Sequence, residues 1–287
     1  MRRFNVDAVL FEELLAHRFL GEEEKAVQIW RSIAALHRVP GSLRYEYFFR
    51  ARNRAVASLA YRLLNTAVTT RGDSQAPIVQ ALESLCDNEL KSLSRDDVIF
   101  DGQPGIFMGV WHQINGREEK ARSYFRPYVR QALFYSDGHI WGGIMSVYRV
   151  LGHLFTMIGD DEDAITVLQL VHSPFNLRNG TPASPEERMA SPWPLIDEYC
   201  VWYCHACLKS WGNFVGCNVC RRCNADICGE CLEGIKTGGP ANHACDATHE
   251  WLNVPSPPGV PGKYQISRNG QALSIEEFMA SLEKDWT

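Results

Sequence analysis

The sequence predicts a mostly α protein, an α-solenoid of helix pairs followed by a small metal-stabilised finger and a short C-terminal hairpin-helix. Three observations lead there. The N-terminal part repeats a glycine-to-alanine spacing inside helical apolar periodicity. Nine of the ten cysteines fall between Cys200 and His249. Two proline-rich stretches flank that cysteine run, at 173–198 and from Pro255 to Gly262.

At 287 residues the chain has room for about two domains with a sizeable core. Its 45% hydrophobic and 22% charged residues are ordinary for a globular protein. The expected organisation is a helical repeat domain over 7–172, a linker over 173–198, the finger over 199–255, and a linker, hairpin and helix over 256–287. No run approaches the eighteen or so apolar residues of a membrane span. The opening segment carries Asp7, Glu12 and Glu13 and has no continuous apolar core, unlike a signal peptide. A cytoplasmic or nuclear protein is therefore expected.

The repeat aligns on a glycine followed five residues later by alanine: Gly21 and Ala26, Gly116 and Ala121, Gly159 and Ala164. Four residues after each alanine stands a large apolar residue, Trp30, Phe125 or Leu168. Gly109 and Gly152 each lie seven residues before a turn glycine. Small residues at these positions let two helices cross closely. The turn glycine accepts the left-handed conformation that ends the first helix of a pair. The acidic residues after it suit the N-terminus of the second helix, where the macrodipole favours them, and are read as helix-start chemistry. Tyr148, Leu151, Gly152, Phe155, Gly159, Ala164 and Leu168 together resemble the tetratricopeptide (TPR) repeat. That resemblance implies TPR-like helix pairs offering a surface for a peptide or helix. Residues 42–95 read as two more helices, one carrying Val56, Leu59, Ala60, Leu63 and Leu64, the other Leu82, Leu85, Cys86 and Leu90. His17, His37, His112, His139, His153 and His172 have no paired spacing and are expected to be packed or surface residues.

The cysteines run Cys204-x2-Cys207, x12, Cys220-x2-Cys223, x4, Cys228-x2-Cys231, x13, Cys245-x3-His249. Seven thiolates and one imidazole are enough to close two tetrahedral zinc sites. The short link between the second and third pairs would crowd a shared site and suits alternating use instead. Cys204, Cys207, Cys228 and Cys231 are therefore assigned to one Zn2+, and Cys220, Cys223, Cys245 and His249 to the other. Two substitutes stay open: Cys217 with Cys220 for the second pair, and His243 for Cys245. Cys200 is read as a half-buried apolar residue.

The knuckles Cys204 to Cys207 and Cys220 to Cys223, the run Asn224 to Ile227 leading into Cys228 to Cys231, and the histidines His243 and His249 resemble a ZZ-type zinc finger. The gap between the second and third pairs holds four residues, where that family usually has five, and a single carboxylate, Asp226, where it usually has two. The resemblance implies a cross-braced module that grips a second protein, with acidic side chains of that gap taking a peptide amino terminus. Over most of its length the chain is also similar to fungal proteins that join helical repeats to a C-terminal finger ending in His-Glu-Trp-Leu-x-Val-Pro, here His249 to Pro255.

Between Cys200 and His249, Lys209, Arg221, Arg222 and Lys236 balance Asp226, Glu230, Glu233 and Asp246. That leaves no electrostatic footprint for nucleic acid, and Arg221 and Arg222 are read as a solvated turn. The net charge of −5 names no partner. No phosphate-binding glycine loop, nucleophile elbow or His-Glu-x-x-His is present in the sequence. The expected function is a non-enzymatic scaffold for protein or peptide ligands, without nucleic acid or membrane. The alternative is a ubiquitin ligase whose finger recruits a conjugating enzyme through Leu208, Trp211 and Phe214. No sequence signal sets an oligomeric state.

Overall fold

The structure is a computed structural model that describes residues 23–35, 45–92, 103–136, 144–170, 202–211, 216–239, 245–255, 265–268 and 270–286. Expectations for Gly21, Cys200, Phe214, His243, the linker at 173–198 and the histidines other than His112, His153, His205 and His249 lie outside the described residues. The fold is mostly helical with small antiparallel sheets, and divides into compact units Met1–Tyr124 and Phe125–Thr287. Among the described residues no helix is long and apolar enough to cross a membrane.

In the first unit, α1 (Glu23–Ala34) lies against α2 (Tyr45–Thr69), and α2 against α3 (Gln75–Ser92) and α4 (Pro104–Ile114). Ala26, Trp30 and Ile33 of α1 form a buried cluster with Ala55, covered by Leu59. The turn from α2 to α3 is closed by Gln75, whose Nε2 donates to the carbonyls of Ala67 and Thr70, both at 2.9 Å. Cys86 is buried among the apolar residues of α3, as its place on the stripe predicts.

Helix α5 (Glu118–Ser136) starts after Gly116, whose φ of 66° ends α4 in the left-handed region. There the N–H of Arg117 returns to the carbonyl of His112 at 2.9 Å. The same device recurs in the second unit between α6 (Ile144–Ile158) and α7 (Asp161–Leu170). Gly159 has φ 86°, and the N–H of Asp160 returns to the carbonyl of Phe155 at 3.0 Å. The two turns are equivalent, as the repeated glycine predicts. Tyr148, Leu151 and Phe155 of α6 and Ala164, Val167 and Leu168 of α7 are all buried.

Strands β1 (Trp202–Tyr203) and β2 (Ser210–Trp211) form a small ribbon. Strands β3 (Asn218–Cys220), β4 (Asp226–Ile227) and β5 (Trp251–Asn253) form an antiparallel sheet in the order β4-β3-β5. A short helix α8 (Gly229–Lys236) follows β4. The expected hairpin is β6 (Gln265–Arg268) and β7 (Gln271–Ser274), turned at Gly270 with φ 73°. The last helix α9 (Ile275–Trp286) opens on a capping box. Its Ser274 Oγ accepts from the Glu277 N–H at 3.1 Å, and Glu277 Oε2 accepts from the Ser274 N–H at 2.8 Å. Its buried face is Phe278, Leu282 and Trp286, with Trp286 against the Phe155 ring of α6 at 5.9 Å between centroids.

The sequence reading grouped α6 and α7 with the preceding helices, whereas the second unit groups them with the finger and α9. Within the second unit, ion pairs join these elements, described next.

Candidate metal centre

Each Cys-x-x-Cys turn folds so that its first sulfur accepts backbone hydrogen bonds. The N–H groups of Arg222 and Cys223 reach Cys220 Sγ at 3.3 and 3.4 Å. Those of Cys228 and Cys231 reach Cys204 Sγ and Cys228 Sγ, each at 3.4 Å. Such donors favour thiolate, the form that binds metal. The first two of these three turns place a left-handed residue directly after their second cysteine, Leu208 with φ 60° and Asn224 with φ 59°, whereas the third runs on into α8.

The structure gathers Cys204, Cys207, Cys228 and Cys231 in one group and Cys220, Cys223, Cys245 and His249 in another, with the ligand atoms of each within 4.8 Å of one another. A tetrahedral zinc would set its sulfurs about 3.8 Å apart. Cys207 and Cys228 sulfurs stand 4.0 Å apart, and Cys245 Sγ lies 3.3 Å from Cys223 Sγ and 3.5 Å from Cys220 Sγ. His249 presents Nδ1 to Cys220 Sγ at 3.3 Å and to Cys245 Sγ at 3.2 Å. Both groups are geometrically compatible with a metal ion. They alternate along the chain, first pair with third and second with fourth.

The groups differ in exposure. Cys207 is exposed and Cys231 half-buried in the first, whereas Cys220, Cys245 and His249 are all buried in the second. In the second group, burial works against a Cys220 thiolate, yet hydrogen bonds from Cys223, Cys245 and His249 hold its pKa well below the usual thiol range. The Cys223 and Cys245 thiols are pushed up, first by their hydrogen bonds to Cys220. A bound cation relieves that competition for charge. Cys217 is buried outside both groups, its thiol pushed up by desolvation and then by Asp226, which fits a packed apolar residue.

Around the sites stands a set of charges with no signal in local spacing. Asp226, 1% exposed, accepts from His153 Nε2 at 2.8 Å and Arg149 Nη2 at 3.0 Å, both on α6. Burial alone would raise its pKa, but His153 and Arg149 overcome that and hold it at about 2. The Asp226 N–H also donates to His205 Nδ1 at 2.8 Å, which assigns that ring the role of acceptor there. Arg221 makes a two-pronged pair with Asp161 of α7, at 2.6 and 2.7 Å, and donates to the Thr156 carbonyl at 3.3 Å. The expected solvated turn is thus, at Arg221, an anchor. Arg268 of the hairpin donates to Asp163 at 2.8 Å, and Arg130 Nε donates to the Trp286 carbonyl at 2.8 Å. Asp161 and Asp163 open α7, as expected for helix-start residues, and serve these pairs as well. The Asp226 carboxylate, which the ZZ-type resemblance would offer to a peptide, is occupied by α6.

No protein-family model, curated protein or solved structure matches the chain.

Proposed function

We propose that this chain is a protein-interaction scaffold in which TPR-like helix pairs offer a surface for a peptide or helix, and a two-zinc, cross-braced finger holds a second protein. The observation that carries the metal part is the gathering of four ligand atoms in each group, within 4.8 Å of one another; four protein ligands fill a tetrahedral ion and leave no position for water or substrate. Such ions act structurally and supply folding free energy. Thiolate-rich sets with one imidazole suit zinc better than hard cations. The interaction part is supported by the paired helices with their repeated glycine turns and by the balanced charge of the finger, which gives phosphate no attraction. Because Asp226 is occupied within the chain, the finger's partner would be held by another surface.

Elemental analysis of freshly purified, reduced protein tests the metal part and should find two zinc ions per chain; one or none overturns it. Capture of partners by intact protein and by Cys228→Ser tests the scaffold, with finger-dependent partners lost from the variant. One observation favours ubiquitin ligase as the second reading: Leu208, directly after the first knuckle, is a large apolar side chain left 67% exposed. Autoubiquitination with a panel of conjugating enzymes separates the two, since a scaffold forms no conjugates.

A further inference from the structure

We propose that the finger is a metal-dependent clamp on α6 and α7, so that loading of its two sites decides whether that helix pair is folded. This rests on the metal-binding reading above and adds a regulated element to it. The finger's buried cluster contains Cys204, Cys220, Cys228 and Cys245 beside Ala225, Ile227, Leu232 and Ile235. Half of that core is therefore candidate metal ligand, and without metal nothing in it bonds the four cysteines covalently to one another. So small a core folds on metal binding free energy.

The residues that hold α6 and α7 sit on the same backbone as the ligands. Arg221 adjoins Cys220, a ligand of the second group, and Asp226 lies between Cys223 of the second group and Cys228 of the first. Release of either metal frees the segment that carries an anchor. On the helical side, α6 and α7 are 15 and 10 residues long, too short for much helicity when isolated. Their polar side chains His153 and Asp163 are buried and take Asp226 and Arg268 as partners. A second fastening joins the last turn of α7 to the finger's end, where Gln169 Nε2 donates to the Pro255 carbonyl at 3.2 Å. With the finger unfolded, His153 and Arg149 of α6 lose Asp226 and Asp161 of α7 loses Arg221, while Asp163 keeps Arg268 of the hairpin.

Hydrogen exchange on the full chain tests the clamp, comparing zinc-loaded protein with protein stripped by 1,10-phenanthroline, with metal loss measured in parallel. Amides of α6 and α7 should exchange about tenfold faster or more once the metal is gone, while those of α2 and α3 hold within about twofold. Restored zinc should restore protection. Unchanged α6 and α7 amides in stripped protein overturn the clamp, as does equal loss of protection in α2 and α3. A chain that binds no zinc at all removes the metal reading along with the clamp, so the two failures are distinguishable. The coupling must also run backwards, since a contact that metal stabilises raises metal affinity in return. Arg149→Gln, far in sequence from every ligand, should lower the chelator concentration at half-release of zinc by about tenfold. An unchanged midpoint overturns the proposal.

Discussion

Gly152 of α6 and Leu168 of α7 cross so closely that a methyl group on Gly152 would sit 2.6 Å from Leu168 Cδ2 and closer still to Cγ. Both atoms belong to a fully buried side chain, so there is little room for Leu168 to turn away. Gly152→Ala should lower stability by about 1–3 kcal/mol through this overpacking. Pairing it with Leu168→Ala should recover part of the loss, because the clash disappears and a cavity replaces it. Thermal unfolding of both single variants and the double variant measures the coupling. Additive effects would contradict the contact.

The first two knuckles supply an internal comparison of backbone strain. Leu208 and Asn224 hold the same left-handed conformation at equivalent positions, but only Asn tolerates it easily. Leu208→Gly should stabilise the zinc-loaded protein by about 1 kcal/mol, and Asn224→Ala should destabilise it by a similar amount. Unfolding of the loaded chain with chaotrope checks both signs.

His112 is 1% exposed, stacks on Tyr124 at 5.3 Å, and has no hydrogen-bond partner for either ring nitrogen among the described residues. Burial, then the charges of Lys120 and Arg117, lower its pKa from 6.5 to about 4. Between those values the unfolded chain binds a proton that the folded chain does not. Stability is therefore fully present above pH 6.5, falls as pH drops through that value, and reaches its full loss near pH 4, a span worth about 3 kcal/mol. His112→Phe should remove this slope and be neutral or stabilising at neutral pH. Unfolding midpoints of both proteins from pH 7.5 to 4.5, followed at α2 and α3 to separate them from metal loss, provide the measurement.

Exposure distinguishes the two groups. The all-cysteine group includes exposed Cys207, whereas the Cys220 group is nearly enclosed. A colorimetric chelator should draw zinc in two phases, the faster accompanied by alkylation of Cys207 before Cys220. Cys245→Ser should lower zinc content, while Cys217→Ala should leave it at the value of the unaltered protein; loss of zinc from the latter would return Cys217 to the ligand set.

Much of this was readable in the sequence because its cause is local. A turn glycine, an alanine five residues on and a large apolar residue after that encode one helix pair, and Gly116 and Gly159 adopt the expected conformation. The Cys-x-x-Cys spacing encodes a knuckle, and the four-residue link between knuckles implies alternation. The anchors were not readable. Arg221 finds Asp161, Asp226 finds His153, and Arg268 finds Asp163 across sequence separations of 60, 73 and 105 residues. A charge so far from its partner looks the same in sequence as one that faces water. The compact unit that holds α6 and α7 with the finger contains these pairs.

Alternating ligands also give the finger a kind of linkage that does not depend on an unbroken chain. A single peptide-bond cut between Cys231 and Cys245 leaves Cys220 and Cys223 on one piece and Cys245 and His249 on the other, with all four in the group that fits one ion. The two pieces are further joined by the β3–β5 ladder, in which Val219 stands opposite Leu252. Such a nicked molecule should migrate as one species on a native gel and come apart only when a chelator is added. For this protein, two bands on a denaturing gel are therefore a record of cleavage and not of separation.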